Sequence, residues 1–161
     1  MRTLLAALML LCCAAAHAAL APLAAAPDFT LRSIEGRNLR LAEQRGQVVM
    51  LNFWASWCGP CKQEMPRLAR LFEKYRSAGF LLLGVNIDDD ARLATQAAAR
   101  WGLGFPVLLD ADKAVSRLYE LGSMPASVLI DRDGRVRYLY RGYRDGVEEA
   151  YERQIRELLK E

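Results

Sequence analysis

The chain has 161 residues, of which 22 are Lys or Arg, 19 are Asp or Glu, one is His and four are Cys. This length indicates one domain, and a formal net charge of +3 is too small to indicate nucleic acid as the main partner. A charged fraction of 25% together with three Trp argues against an intrinsically disordered chain.

Residues 1–18 have the pattern of a secretory signal peptide. Arg2 supplies a positive start, residues 4–16 are uninterruptedly apolar, and Ala16-His17-Ala18 matches an A-x-A cleavage site. We therefore expect cleavage after residue 18, a short linker over residues 19–26, and a domain over residues 27–161 that is exported to the periplasm.

Two alternatives to cleavage stay open. A membrane anchor would need about 20 apolar residues, and His17 and Pro22 interrupt the apolar stretch. Lipidation at Cys12 or Cys13 is the other alternative. Each of the three outcomes places the domain outside the cytoplasm, where a lone pair of cysteines is expected to matter for redox chemistry.

Removal of the signal peptide would leave no histidine, and Cys58 and Cys61 would be the remaining cysteines. Without histidine the chain cannot build a Ser-His-Asp or Cys-His catalytic arrangement or a histidine-containing metal site. A zinc site made of four cysteines would need a second chain. The chemistry must therefore use the two cysteines, carboxylates or hydroxyls, and we expect no metal and no cofactor beyond the cysteine disulfide.

Strands and helices alternate along the rest of the chain. A hairpin is predicted over residues 29–41 with its turn at Glu35-Gly36, and Pro66 is expected to kink the first helix. The remaining elements are strands at 47–54, 80–87, 105–109, 126–131 and 135–141, and helices at 58–76, 91–101, 113–120 and 147–159. This order indicates an α/β layered domain.

The segment Trp57-Cys58-Gly59-Pro60-Cys61 lies where a predicted buried strand gives way to a predicted helix. Cys58 would stand at the helix N-terminus, where free N–H groups and the macrodipole favour an anion, so that its thiolate is populated near neutral pH. Cys61 would be shielded and attack the mixed disulfide once that forms. We predict Cys58 as the nucleophile and Cys61 as the resolving thiol.

A structural role for the two cysteines is the alternative. A disulfide that spans two residues constrains almost no chain entropy, so it adds little stability. Half of a zinc site would need another Cys-x-x-Cys pair, which the sequence lacks. The strand, Cys-x-x-Cys and helix context therefore favours a redox-active pair.

The segment FWASWCGPCKQEMP resembles the active-site signature of thioredoxin-fold proteins, and in particular of the secreted TlpA/ResA-like branch. The resemblance runs from Pro27 to about Leu159 and includes the blocks PDFTL, RGQVVMLNFW, GVNID, FPVLLD and MPASVLID. It implies a thioredoxin fold, in which helices flank a central mixed β-sheet, with the N-terminal hairpin as an extension. It also implies an inserted strand–helix unit around residues 80–101.

The resemblance implies roles for residues outside the cysteine motif. Met124-Pro125 matches the loop in which the family places a cis-proline beside the cysteines, and proline lowers the cost of a cis bond. Asn52 stands where cytoplasmic thioredoxins carry a buried Asp, so another carboxylate must accept the proton of the resolving thiol. By order, Asp89 is the nearest match to the acidic residue of the ResA-like branch, although a helix-capping role for residues 88–90 is the interpretation that we favour. Glu64 is the weaker candidate and is interpreted as a solvated helix charge.

The function that the resemblance implies is reduction of substrate-protein disulfides, in apocytochrome c or in a copper-site protein. A membrane thiol transporter of the DsbD/CcdA kind would supply the electrons. A disulfide oxidase or isomerase would use the same residues, and a Cu(I) or haem carrier could use the two thiolates without turnover. A peroxiredoxin is disfavoured because its Pro-x-x-x-Thr/Ser-x-x-Cys pattern needs Pro near position 52, where Asn52 stands.

Overall fold

A computed structural model describes residues 22–161; the predicted signal peptide and the first part of the predicted linker lie outside this range. The strands are β1 (Thr30–Ser33), β2 (Asn38–Arg40), β3 (Val48–Trp54), β4 (Phe80–Asn86), β5 (Val107–Leu109), β6 (Ala126–Ile130) and β7 (Val136–Arg141). The helices are α1 (Gly59–Tyr75), α2 (Ala91–Trp101), α3 (Ala114–Leu118) and α4 (Val147–Leu158). The alternation predicted from the sequence is confirmed, with shifts of one or two residues at most ends.

The seven strands form one mixed sheet in the order β2-β1-β5-β4-β3-β6-β7. β3, β4 and β5 run parallel, whereas β6 pairs antiparallel with β3 and with β7, and the β1–β2 hairpin adds antiparallel to β5. Helices flank this sheet, so the fold class that the resemblance implied, a thioredoxin fold with an N-terminal hairpin, is confirmed.

Every residue of β3 is buried, because both faces of the sheet are covered. Successive side chains point to opposite faces, so Val49, Leu51 and Phe53 join one core while Met50 and Trp54 join the other. By the same alternation Asn52 shares the face of Met50 and Trp54. The core that contains Met50 and Trp54 also contains the buried faces of α1 and α4. A polar amide is therefore placed in the apolar layer beneath the helix that carries the cysteines.

The region around residues 80–101, where the resemblance implied an inserted strand–helix unit, consists of a strand followed by a helix. β4 is a central strand that pairs in parallel with β3 from Phe80 to Asn86. The helix that follows, α2, leads to β5, the strand that joins the parallel centre of the sheet to the N-terminal hairpin. The register with β3 makes β4 part of the centre of the sheet.

The end of the predicted linker packs on the domain. Ala25 pairs with Arg135 in an antiparallel bridge, and the Leu23 amide donates to the Val136 carbonyl at 2.7 Å. Residues 23–26 therefore run along the β6–β7 hairpin. Among the helices described over residues 22–161, none is long and apolar enough to cross a membrane.

Candidate active site

The two cysteines stand at the start of α1 and form a disulfide, with their Cα atoms 5.3 Å apart. Cys58 caps the helix in an extended backbone conformation, and its sulfur accepts from the Cys61 amide at 3.3 Å. Gly59 and Pro60 fill the first helical positions, where the missing N–H of proline costs no intrahelical bond. The helix N-terminus is thus directed at the sulfur of Cys58.

Both cysteines are buried, whereas the sequence predicted a solvent-facing Cys58, and the difference in exposure between them is small. Trp57, next to Cys58, is 67% exposed, and Cys58 itself is 6% exposed. Cys61 is completely buried. A substrate disulfide can therefore approach along Trp57 toward Cys58, while Cys61 is reached from within the protein.

The Met124-Pro125 peptide bond is cis, as we predicted for this loop. The loop leads directly into β6, where Ala126 pairs with Phe53 near the end of β3. Met124 packs against the core cluster that contains both cysteines. The loop therefore packs against the same core cluster as the cysteine pair, although the two lie more than 60 residues apart in the sequence.

An open groove of about 740 Å³ lies beside this loop. Its apolar lining consists of Phe53, Ile87, Leu121 and Met124. Lys113, Arg117 and Glu120 supply charged groups to the same groove. Such a surface can hold an extended peptide segment.

Glu64 is buried, which corrects our interpretation of it as a solvated helix charge. The side chain is 2% exposed and lies one turn after Cys61 on the buried stripe of α1. Asn52 donates from Nδ2 to Oε2 of Glu64 at 2.9 Å, and the Tyr151 hydroxyl donates to Oε1 at 2.8 Å. The same Nδ2 also donates to the Ser127 hydroxyl oxygen at 2.9 Å. Residues from β3 and α4 thus donate to one carboxylate of α1, and Ser127 of β6 joins this network through Asn52.

Burial is the largest influence on this carboxyl group and raises the pKa of Glu64, because the charged form loses its hydration. The hydrogen bonds from Tyr151 and Asn52 act in the opposite direction but do not cancel it, and the nearby charge of Glu148 raises the pKa further. A carboxyl group with a raised pKa takes up and releases a proton at a higher pH than an exposed glutamate does.

The three aspartates at 88–90 have three different surroundings. Asp89, our predicted proton acceptor, is 86% exposed and its carboxylate pairs with Lys113 at the surface, not with the cysteine pair. Asp90 caps α2 by accepting from the Arg92 amide at 2.9 Å. Asp88 is buried and accepts from Ser56, two residues before Cys58.

A signal for Glu64 was present in the sequence. Residues 61, 64, 65, 68 and 72 recur at the helical spacing of one buried stripe, and Glu64 is the charged member of that stripe. The Tyr151 hydroxyl had no comparable signal: its position on α4 predicts an apolar contact, and its partner lies 87 residues away. Within residues 22–161, no three His, Cys, Asp or Glu side chains are grouped so that they could hold a metal ion.

Comparisons with known proteins agree with this geometry. The model of the AhpC/TSA family matches residues 22–139. The thiol-disulfide oxidoreductase ResA of Geobacillus thermodenitrificans is 40% identical over 117 residues, which is 73% of this chain and 67% of the relative.

Solved structures extend the likeness to the whole domain. A Chlorobium tepidum protein assigned as a thiol:disulfide interchange protein DsbE superposes with a TM-score of 0.84 at 39% identity, over 88% of this chain and 99% of the other. A Bacteroides thetaiotaomicron protein assigned as a protein disulfide isomerase superposes with a TM-score of 0.82 at 34% identity, over 88% and 92% of the two chains. With its cysteine pair at the start of α1, the chain therefore belongs to the thioredoxin-fold AhpC/TSA family and is a thiol-disulfide oxidoreductase of the ResA and DsbE type.

Proposed function

We propose that the chain is an exported protein-disulfide reductase that works through the dithiol form of Cys58 and Cys61. The observation that carries the proposal is the asymmetry of the pair: Cys58 lies beside exposed Trp57 at a helix N-terminus, whereas Cys61 is buried one turn from the buried carboxyl group of Glu64. Export is supported by the signal-peptide pattern of residues 1–18 and places the reaction in the periplasm.

The reaction begins with attack by the Cys58 thiolate on one sulfur of a substrate disulfide. A mixed disulfide forms between Cys58 and the substrate, and the other substrate sulfur leaves as a thiolate. Cys61 then gives up its proton and attacks the sulfur of Cys58, which releases the second substrate thiolate. The substrate gains two electrons, and the protein is left with the Cys58–Cys61 disulfide.

Glu64 is the proton acceptor that we propose for Cys61, in place of Asp89. Residues three apart on a helix are neighbours, so the Glu64 side chain lies next to Cys61. The raised pKa of Glu64 suits the exchange of a proton with a thiol. Asp89 is exposed and paired with Lys113, so it lacks the buried position that such a proton transfer needs.

The substrate segment is proposed to occupy the groove along Met124 and Ile87. Proline has no N–H, so the chain before Pro125 is free to pair with an extended peptide. Apocytochrome c and copper-site proteins are the substrates that we propose, with a membrane thiol transporter of the DsbD/CcdA kind as electron donor. The redox-active disulfide serves as the cofactor, and no nucleic acid takes part.

Trapping of the mixed disulfide tests this proposal. Incubation of reduced C61S with a disulfide-bearing substrate should yield a stable adduct through Cys58, and the same incubation of C58S should yield none. The unchanged protein should reduce insulin disulfides with dithiothreitol as electron source. A protein that binds Cu(I) or haem on both thiolates but fails to reduce insulin would be a carrier and would refute the proposal.

A further inference from the structure

Asp88 links the end of β4 to the loop that carries the nucleophile. Its carboxylate accepts from the Ser56 amide and from the Ser56 hydroxyl, each at 2.9 Å, and from Nδ2 of Asn86 at 2.8 Å. The Asn86 side chain in turn accepts from the Asp88 amide at 3.0 Å. Asn86 and Asp88 are both buried, so this pair forms a fixed support for Ser56.

The supported loop leads straight to Cys58. Ser56 lies between Ala55, whose carbonyl accepts from the Cys58 amide at 3.1 Å, and Trp57. The Ile87 amide donates to the Trp54 carbonyl at 3.0 Å. The segment before Asp88 is therefore also joined by a main-chain hydrogen bond to the segment before Ser56. Movement of Asp88 would therefore move the turn that sets the position of Cys58.

The Asp88 carboxylate has no cationic partner within salt-bridge distance in the described part of the chain. The nearby cations are engaged elsewhere, Lys113 with Asp89 and Arg92 with Asp90. Asp110, from the end of β5, is a second buried carboxylate on this side; its amide donates to the Asn86 carbonyl, and its oxygens accept from residues of α3. Both oxygens of Asp88 accept hydrogen bonds, from three donors in all.

A negative charge close to Cys58 disfavours its thiolate and opposes the helix N-terminus. The thiolate exists in the reduced form alone, so destabilising it favours the disulfide. We propose that Asp88 is a positioning residue that fixes the nucleophile loop through Ser56 and makes the Cys58–Cys61 pair a stronger reductant. The inference rests on the reductase function proposed above and adds to it a residue that sets the redox poise.

The test compares D88N with D90N in the purified protein. Both variants remove one negative charge, and asparagine caps a helix as well as aspartate does, so D90N is a matched control. We expect D88N to shift the equilibrium with glutathione about three- to tenfold toward the dithiol, which corresponds to a potential raised by about 15 to 30 mV. The pH midpoint for alkylation of Cys58 should fall in the same variant, and D90N should match the unchanged protein in both measurements.

A second neutral variant, D88S, keeps the test usable if D88N does not fold. D88S is also neutral, and its smaller hydroxyl group can still accept from the Ser56 amide; far-UV circular dichroism identifies the variants that fold. Equal potentials for the folded neutral variants, D90N and the unchanged protein would overturn the proposal, as would a shift toward the disulfide. The potential of the unchanged protein tests the reductase function separately, because the Asp88 effect is a difference from that value.

Discussion

Two buried carboxylates flank the cysteine pair, and their surroundings differ. Asp88, on the Cys58 side, accepts three hydrogen bonds, one of them from a backbone amide. Glu64, on the Cys61 side, accepts two hydrogen bonds from side chains inside an apolar core. Burial raises the pKa of Glu64 despite both bonds. The comparison shows that two buried carboxylates near one cysteine pair differ in their hydrogen-bond donors and in their surroundings. These differences underlie the two separate roles proposed above.

The largest expected effect comes from removing the proton acceptor of the pair. In E64Q the release of substrate from the mixed disulfide should slow about 100-fold near neutral pH, because Cys61 loses its internal base. Single-turnover measurement of substrate thiol release isolates this step. E73Q, which alters an exposed carboxylate of the same helix, should release substrate at the unchanged rate. Equal rates for E64Q and E73Q would remove Glu64 from the mechanism.

A smaller effect is expected when Glu64 keeps its charge but loses one donor. Y151F removes the hydroxyl that donates to Glu64, so the pKa of Glu64 should rise further and the pH midpoint of substrate release should move upward. A hydrogen bond to a charged group is worth about 1.5–3 kcal/mol, so release below the midpoint should slow about tenfold or more. Y140F is the control, since Tyr140 packs on Tyr151 but donates to Gln154. A midpoint in Y151F equal to that in Y140F would contradict the role of the hydroxyl.

The pH dependence of the free energy of unfolding tests the raised pKa of Glu64. Because the pKa of Glu64 is raised in the folded state, its contribution to stability is complete below its ordinary value and is lost as pH rises through the raised value. The free energy of unfolding of the unchanged protein, relative to E64Q, should therefore fall with rising pH. Denaturant unfolding at a series of pH values measures this difference. A difference that is constant or rises with pH would contradict the direction of the shift.

The smallest effect belongs to the capping aspartate, two residues from Asp88. D90A should cost about 1 kcal/mol of stability through loss of the α2 cap, with no change in the potential of the cysteine pair. Thermal unfolding and glutathione equilibration measure the two quantities. A shift of the potential in D90A would mean that charge anywhere in residues 88–90 acts on Cys58. The effect on the potential would then not be specific to Asp88.

The sequence predicted what depends on local pattern. Apolar β-rich runs located the central strands, and the Cys-x-x-Cys spacing at a strand–helix junction located the cysteine pair. The position of Glu64 on an apolar helical stripe could have revealed its burial. Its partners Asn52 and Tyr151 come from two distant elements, and Ser127, which accepts from Asn52, comes from a third. Only the assembled sheet and helices could show these residues together. For the same reason, order along the chain pointed to Asp89 and could not distinguish it from Asp88.

The reduction potential of Cys58–Cys61 in the unchanged protein tests the central claim of a reducing function most directly. Equilibration in glutathione buffers of varied ratio, read by quantifying free thiols, gives the value. We predict a potential near that of thioredoxin, about −270 mV, which requires electrons delivered from a membrane donor. A value near about −120 mV would mean that the reduced form is stabilised and that the protein oxidises its substrates, which would contradict the account.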